Sequence, residues 1–303
     1  MHMRKSFIAM AVTAAMLVGA VPVSTFWSVG AMESPAPPVP SYGSASEAAA
    51  RDLTVLTYNV HGLPWPFARN RSSALVEIGS RLQAMRAAGT QPHVVLLQEA
   101  FTGDAKRVAE KAGYAYVVDG PSRKLAAPVF AKAGPGALFA AGASWFKGET
   151  QGKLLDSGLR ILSDYPVLKV SRAAFPADAC AGFDCLANKG VVMATLAVPG
   201  PLGRTTPIAV ATTHLNSGRA SGVDKARAME AYRRQLTVLD RFFAAHREPG
   251  VPLIFAGDFN AGRRPARREL LLAHSAVWWG ENMSVALRDV AQPASQEIGR
   301  AHV

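Results

Sequence analysis

Residues 251–260 read VPLIFAGDFN, an apolar run that ends in a glycine turn followed by two polar side chains. Short apolar runs flanked by proline and glycine are typical of buried strands. In layered α/β folds, functional groups collect beyond the carboxyl ends of such strands. The segment therefore favours a layered α/β fold and makes Asp258 and Asn260 candidate site residues.

The same arrangement occurs three more times along the chain, in segments that share no local similarity. Leu53–Tyr58 is followed by Asn59, His93–Leu97 by Gln98 and Glu99, and Pro207–Thr213 by His214. We expect the four strand ends to converge on one site.

Helical patterns separate these runs, as a layered fold requires. Apolar residues recur at helical spacing in 73–88 and in 223–246, and Asp104 is a candidate N-cap of a helix ending near Gly113. We expect the arginines of 223–246, which are Arg227, Arg233, Arg234 and Arg241, to face solvent for the most part. Two further strands are predicted at 159–162 and 191–198.

The N-terminal region has the layout of a secretory signal. Arg4 and Lys5 precede an apolar run that reaches Val23, and small residues follow up to Ala31. We assign 1–31 to a signal peptide, with a membrane anchor as the alternative, and 32–51 to a Pro/Ser/Ala linker that cannot bury enough surface to fold. Residues 52–303 then form one domain, and the protein is expected to be secreted or periplasmic.

The net charge indicates the class of partner, and the cysteine content allows one disulfide. The formal net charge of +11 suits an acidic partner, either a phospholipid surface or nucleic acid, and an arginine-rich composition explains it equally well. No obligate protein partner is evident. The two cysteines, Cys180 and Cys185, either close a small disulfide loop or stay as free thiols.

The residues at the strand ends match the needs of phosphodiester hydrolysis. Glu99 is a candidate ligand for a magnesium ion, and Asn59 offers a second oxygen ligand or a donor to phosphate. Asp258 is placed to orient the attacking water and Asn260 to donate to phosphate. His214 is a candidate donor to a non-bridging oxygen or to the leaving group.

Four blocks, taken in order, resemble the signature blocks of the endonuclease/exonuclease/phosphatase superfamily. They are LTYNV at 56–60, LQE at 97–99, THL at 213–215 and GDFN at 257–260. The resemblance covers about 52–290. It implies a four-layer α/β sandwich of the deoxyribonuclease I-like type, with two packed mixed sheets flanked by helices. It also implies magnesium at Asn59 and Glu99, with manganese or cobalt as substitutes, and catalytic roles for His214, Asp258 and Asn260.

Three local features resemble the neutral sphingomyelinase and bacterial sphingomyelinase C branch. They are NVHGLP at 59–64, the segment 157–166, and the segment 184–190. In that branch the corresponding Asp and Lys lie near the active site, so Asp184 and Lys189 are candidates for positioning the substrate phosphate. The resemblance implies a sphingomyelin phosphodiesterase; a secreted nuclease of the same fold and a non-catalytic phosphate-binding relative are the alternatives. His61 and Asp164 are interpreted as structural.

The superfamily normally ends with an Asp-His pair on a final strand, and the sequence does not show that pair. His302 is not preceded by an aspartate, and His274 is a weaker substitute. We expect either a truncated reading that lacks the final strands or a natural loss of the general base, with truncation favoured.

Overall fold

The computed structural model describes residues 53–64, 68–69, 71–128, 135–200, 204–262 and 264–279. The predicted signal peptide, the linker and His302 lie outside these ranges. Eight strands are present in the described part: β1 Val55–Asn59, β2 Val94–Gln98, β3 Tyr116–Asp119, β4 Arg160–Ser163, β5 Val167–Ala174, β6 Gly190–Pro199, β7 Thr205–Thr213 and β8 Leu253–Phe255. The helices are α1 Arg71–Ala87, α2 Gly103–Ala112, α3 Pro135–Ala141, α4 Lys225–His246 and α5 Pro265–Trp279.

The strands form two mixed sheets of four strands each. The first has the order β1-β2-β4-β3, in which β1 and β2 run parallel and β4 is antiparallel to both of its neighbours. The second has the order β5-β6-β7-β8, in which only β7 and β8 run parallel. Each sheet therefore contains one parallel pair, and those two pairs carry the four predicted strand ends.

The two sheets pack face to face through alternating side chains. Val94 and Leu96 of β2 face the second sheet, whereas Val95 and Leu97 face the helices on the other side. This alternation follows from the two-residue period of a strand. The near-continuous apolar strands in the sequence are explained by burial on both faces.

Helices cover the outer face of each sheet. Helices α1 and α2 pack against the first sheet, and α4 and α5 pack against the second. The predicted four-layer α/β sandwich is confirmed, as are the predicted strands and helices to within a few residues. Among the described residues, no helix combines the length and apolar character needed to cross a bilayer.

Two local predictions were wrong. Thr102, not Asp104, caps α2, because its side-chain oxygen accepts from the amide of Ala105, whereas Asp104 lies in the first turn. The arginines of α4 are not all solvated: Arg227 pairs with Glu149 and Arg234 with Asp178, and both guanidinium groups are largely buried. Both acidic partners lie in other elements, far away in sequence.

Candidate active site

The four predicted strand ends meet at one edge of the sandwich. Asn59 ends β1, Glu99 follows β2, His214 follows β7, and Asp258 lies three residues beyond β8. A parallel bridge between His214 and Asp258 continues the pairing of β7 with β8. The two sheets are also joined beneath the site, where Gln98 Nε2 donates to Thr212 Oγ1 over 3.0 Å.

Gly257 allows the turn that brings Asp258 against β7. A Cβ atom at this position would lie 2.3 Å from the carbonyl oxygen of Thr213, closer than any real side chain approaches. Because only glycine lacks a Cβ, the backbone can pass β7 closely enough for the Asp258 amide to donate to that same oxygen over 3.2 Å. The glycine of the GDFN block is thus required by packing.

Two carboxylates converge on one amide group. Asn59 Nδ2 lies 2.9 Å from both Glu99 Oε1 and Asp258 Oδ2 and donates to each. His214 Nε2 lies 3.5 Å from Asp258 Oδ2 and 4.0 Å from Glu99 Oε1. One ligand atom from each of Glu99, His214 and Asp258 falls within 4.8 Å of the others.

These three groups fit a divalent cation. The carboxylates lie close together with a neutral amide between them, so their mutual repulsion favours a bound cation. Oxygen ligands dominate the set, as hard ions such as Mg²⁺ prefer, and one imidazole is also compatible with Mn²⁺. Of the two residues predicted to hold metal, Glu99 offers a carboxylate, whereas Asn59 directs its nitrogen at the carboxylates and its Oδ1 accepts from the amide of His61.

A buried ion pair flanks the carboxylates. Lys189 Nζ lies 2.5 Å from Asp184 Oδ1 and 3.2 Å from His214 Nε2. Asp184 Oδ2 also accepts from the amide of Ser217 over 2.6 Å. Burial opposes ionisation of Asp184, but the Lys189 ammonium and these donors outweigh it and hold the pKa of that carboxyl below its usual value. The predicted pair of Asp184 and Lys189 therefore lies in contact with the site.

The surroundings of His214 favour its neutral form. Burial disfavours the imidazolium, and the neighbouring Lys189 ammonium adds to this, so the pKa of His214 is lowered to about 4 despite the nearby carboxylates. A neutral imidazole offers either a lone pair or an N–H group at Nε2. Which of the two is present depends on the tautomer: Nε2 with a lone pair can accept from the Lys189 ammonium or bind a cation, whereas Nε2 with an N–H can donate to a phosphate oxygen.

The backbone is strained only at this site within the described residues. Three non-glycine residues have left-handed φ angles: His61 at 50°, Glu99 at 57° and Asn260 at 48°. Such conformations cluster at functional sites, where the surrounding structure enforces them. At His61 the amide donates to Asn59 Oδ1, and its Nδ1 lies 3.3 Å from Glu99 Oε2. His61, interpreted as structural from the sequence, thus lies at the edge of the site.

The side chain of Asn260 points away from the carboxylates. Its Nδ2 donates to the carbonyl of Leu215 over 2.9 Å, and its backbone amide donates to Asp258 Oδ1 over 3.0 Å. Asn260 thereby ties the loop after β8 to the segment after β7. Its predicted donation to phosphate stays a prediction.

A residue not recognised in the sequence supports both loops. The guanidinium of Arg267 on α5 is buried and donates to the carbonyls of Asn216, Asn260 and Ala228 over 2.7, 3.1 and 3.1 Å. Its only sequence signal is an arginine in a helix, which is usually solvated. The tertiary fold alone reveals its role.

The remaining histidine candidate lies elsewhere. His274 Nδ1 lies 2.9 Å from both carboxylate oxygens of Asp240, in a pair between α5 and α4 on the outer layer. This pair is not part of the site. Asp164 pairs with Arg86 at the surface, in keeping with a structural role.

Cys180 and Cys185 form a disulfide with a Cα–Cα distance of 5.3 Å. The bond closes a loop that contains Asp184. Of the two alternatives that the sequence leaves open, the structure contains the disulfide.

Comparison with solved structures finds this fold in a sphingomyelinase C and in a β toxin. Sphingomyelinase C from Streptomyces griseocarneus is similar, with 25% identity, a TM-score of 0.54, and coverage of 73% of this chain and 69% of that chain. A β-hairpin deletion mutant of β toxin from Staphylococcus aureus aligns at 18% identity and a TM-score of 0.53, over 74% and 72% of the two chains. A mutant of the same toxin with bound magnesium ions aligns at 19% identity and a TM-score of 0.51, over 74% of this chain and 70% of that chain.

Two sequence comparisons gave different results. No curated protein sequence matches the chain. The sequence model of the Endonuclease/Exonuclease/phosphatase family matches residues 56–294, which include every strand-end residue of the site. Together with the two-sheet fold, this match supports a phosphoric diester hydrolase. The chain belongs to the Endonuclease/Exonuclease/phosphatase family.

Proposed function

We propose that the protein is a magnesium-dependent phosphodiesterase that hydrolyses the headgroup ester of sphingomyelin, releasing phosphocholine and ceramide. The observation that carries the proposal is the cluster of Glu99, His214 and Asp258, with the Lys189 ammonium 3.2 Å from His214 Nε2. Phosphodiester cleavage requires ligands for a cation and donors to the phosphate oxygens. Glu99 and Asp258 supply the acidic ligands, and His214 and Lys189 supply the nitrogen groups.

Each residue has a role that follows from its contacts. Asn59 and the amide of Asn260 each donate to Asp258, which fixes that carboxylate for orienting a water molecule. Neutral His214 and charged Lys189 are placed to donate to non-bridging oxygens, where negative charge develops. Asp184 holds the Lys189 ammonium beside His214.

The proposed cation would be held by Glu99, with Asp258 and His214 within reach. When bound, it would supply Lewis-acid polarisation of the phosphoryl group and stabilise its developing charge. Manganese or cobalt are the substitutes that the same donor set would accept.

The lipid substrate is supported by sequence and structural similarity together. The segments 59–64, 157–166 and 184–190 resemble sphingomyelinases, and a sphingomyelinase C is among the similar solved structures. The Asp184–Lys189 pair of the last segment contacts His214. Two of the residues that carry the resemblance, Asp184 and Lys189, thus lie in contact with the site.

A direct assay tests the proposal. Purified full chain is incubated with sphingomyelin vesicles, and phosphocholine release is measured with Mg²⁺ and with excess chelator. We expect release with Mg²⁺ and none with chelator. Metal-dependent binding of phosphocholine without release would instead indicate a non-catalytic relative.

A secreted nuclease is the second candidate, and the net charge of +11 suits it as well as it suits a lipid surface. Plasmid nicking under the same conditions separates the two functions. Nicking without phosphocholine release would overturn the lipid substrate and keep the hydrolase.

We propose that the protein acts outside the cytoplasm, secreted or periplasmic. The signal-like segment 1–31 and the disulfide between Cys180 and Cys185 support this, because disulfides persist in oxidising compartments. Fractionation of producing cells, with the mature N-terminus sequenced, tests it.

A further inference from the structure

A short turn presents two large aromatic side chains to solvent. Trp145, Phe146 and Lys147 form a single 3₁₀ turn, here named the aromatic tip. Trp145 is 61% exposed and Phe146 83% exposed, and their rings pack edge to face with centroids 5.5 Å apart. Two adjacent aromatic side chains this exposed form an apolar patch, and such patches mark sites of interaction with a partner or a membrane.

The aromatic tip touches the loop that carries Asp184. Lys147 Nζ lies 5.9 Å from the ring centroid of Phe183, which is itself partly exposed. Phe183 is the immediate neighbour of Asp184, whose carboxylate holds Lys189 against His214. A short chain of contacts therefore runs from the aromatic tip to the candidate active site.

A buried carboxylate braces the aromatic tip and this loop together. Glu149, whose side chain is only 2% exposed, accepts from the amide of Ser144 over 2.6 Å and from the amide of Gly182 over 2.9 Å. Arg227 Nε on α4 donates to the same carboxylate over 2.6 Å. The aromatic tip is therefore fixed at its base to the loop that carries Asp184 and to α4.

We propose that the aromatic tip inserts into the headgroup region of a phospholipid bilayer and so brings the membrane surface to the active site. This inference rests on the proposed lipid substrate and adds the surface by which the bilayer is reached.

The shape and charge of the tip favour a bilayer over other partners. Two projecting rings form a narrow wedge, whereas a stable protein–protein interface buries about 800 Å² of surface on each partner. Tryptophan and phenylalanine are suited to the headgroup boundary. Lys147 is exposed beside them. The chain has a net charge of +11, of which only Arg4 and Lys5 belong to the predicted signal peptide, so the remainder is still attracted to anionic lipid.

The test compares binding to vesicles with catalysis in solution. The double variant Trp145→Ala/Phe146→Ala is matched with Val277→Ala, which truncates an exposed apolar residue on α5. Co-sedimentation uses sphingomyelin vesicles containing phosphatidylserine, with chelator present so that no substrate is consumed. Hydrolysis of the soluble diester bis-p-nitrophenyl phosphate is measured with Mg²⁺.

We expect the double variant to partition onto vesicles at least tenfold more weakly while its hydrolysis of the soluble diester is unchanged. Val277→Ala should match the wild type in both assays. Lys147→Glu should weaken binding to vesicles with phosphatidylserine much more than to vesicles without it. Equal partitioning of the double variant and the wild type would overturn the proposal. The proposal would also be overturned if no form of the protein bound vesicles and the double variant instead lost a binding to single-stranded DNA that the wild type shows.

The outcomes separate this inference from the proposed function. Tip-dependent vesicle binding without phosphocholine release would keep the docking surface and reject the substrate. Phosphocholine release that is equal in wild type and double variant would keep the substrate and reject the docking surface.

Discussion

The candidate site consists of two halves that differ in how their charges are satisfied. The open half, Asn59, Glu99 and Asp258, holds two carboxylates that are 15% and 29% exposed and share one neutral amide donor. The closed half, Asp184, Lys189 and His214, holds a lysine and a histidine that are each 5% exposed, and its charges pair internally.

The difference indicates that the open half binds the cation and the closed half binds the phosphate. The open half carries excess negative charge toward solvent, which suits an exchangeable cation and water. The closed half is pre-organised and dry, which strengthens its interactions with a phosphate. We therefore expect changes in the open half to alter activity more than folding, and changes in the closed half to alter both.

The largest expected effect comes from Glu99→Gln in the open half. Loss of the carboxylate weakens cation binding, and we expect kcat/KM to fall about 1000-fold, or roughly 4 kcal/mol. The melting temperature without metal should stay equal or rise, because repulsion with Asp258 is removed. Kinetics at varied Mg²⁺ and thermal melts check both. Glu77→Gln, on the exposed face of α1, is the control and should change neither.

His214→Ala tests the boundary between the halves. We expect kcat to fall by about 100-fold or more, the size seen when one donor to developing charge is lost. The Mg²⁺ concentration for half-maximal activity should stay near the wild-type value, because the carboxylates remain. A shift in that concentration as large as the one in Glu99→Gln would assign His214 to the metal.

Asp184→Asn should damage folding as well as activity. The Lys189 ammonium would stay buried without its counter-ion, which costs about 3 kcal/mol. Denaturant unfolding measures this loss. Asp156→Asn breaks an exposed pair with Lys106 and should cost less than about 1 kcal/mol. Equal losses in the two variants would contradict the distinction between the halves.

Glu149→Gln should give the smallest effect of the four variants, a loss of folding stability that depends on pH. Burial opposes ionisation of Glu149, but hydrogen bonds from Arg227 and from the amides of Gly182 and Ser144 outweigh it and lower its pKa. The ionised form therefore stabilises the fold above the unfolded pKa of about 4.3, and this contribution is lost as pH falls through the folded value.

We expect the variant to be about 1.5 kcal/mol less stable than the wild type at pH 7. The gap should narrow as the pH falls below about 4. Thermal melts from pH 3 to 7 measure the gap, and Glu248→Gln, which breaks an exposed pair with Lys169, is the control. A gap independent of pH would show that the charge of Glu149 is not what matters.

The sequence predicts the strands and the open half well because both depend on local order. A buried strand followed by a polar residue places that residue at the sheet edge wherever the strand lies. The repetition of this pattern at four strands therefore identified Asn59, Glu99 and Asp258, together with His214 of the closed half. Asp184 and Lys189 depended on resemblance, since nothing local pairs them with His214.

The supporting residues could not be predicted because their partners are distant in sequence. In the sequence, Arg227 and Arg267 look like ordinary solvated arginines of a helix. Only the structure shows that Arg227 pairs with Glu149 and that Arg267 donates to the carbonyls of Asn216 and Asn260. The cap at Thr102 was missed for a smaller reason, since Asp104 two residues later is an equally good capping type.

The left-handed backbone at His61, Glu99 and Asn260 has a consequence for any attempt to improve the protein. Each such residue costs on the order of 1 kcal/mol, which glycine would recover. A screen for heat tolerance alone would therefore favour glycine at His61 and Glu99, which would remove two side chains of the candidate site. At Asn260 glycine would also lose the hydrogen bond to Leu215, so thermal stability and catalysis are opposed only at the first two residues.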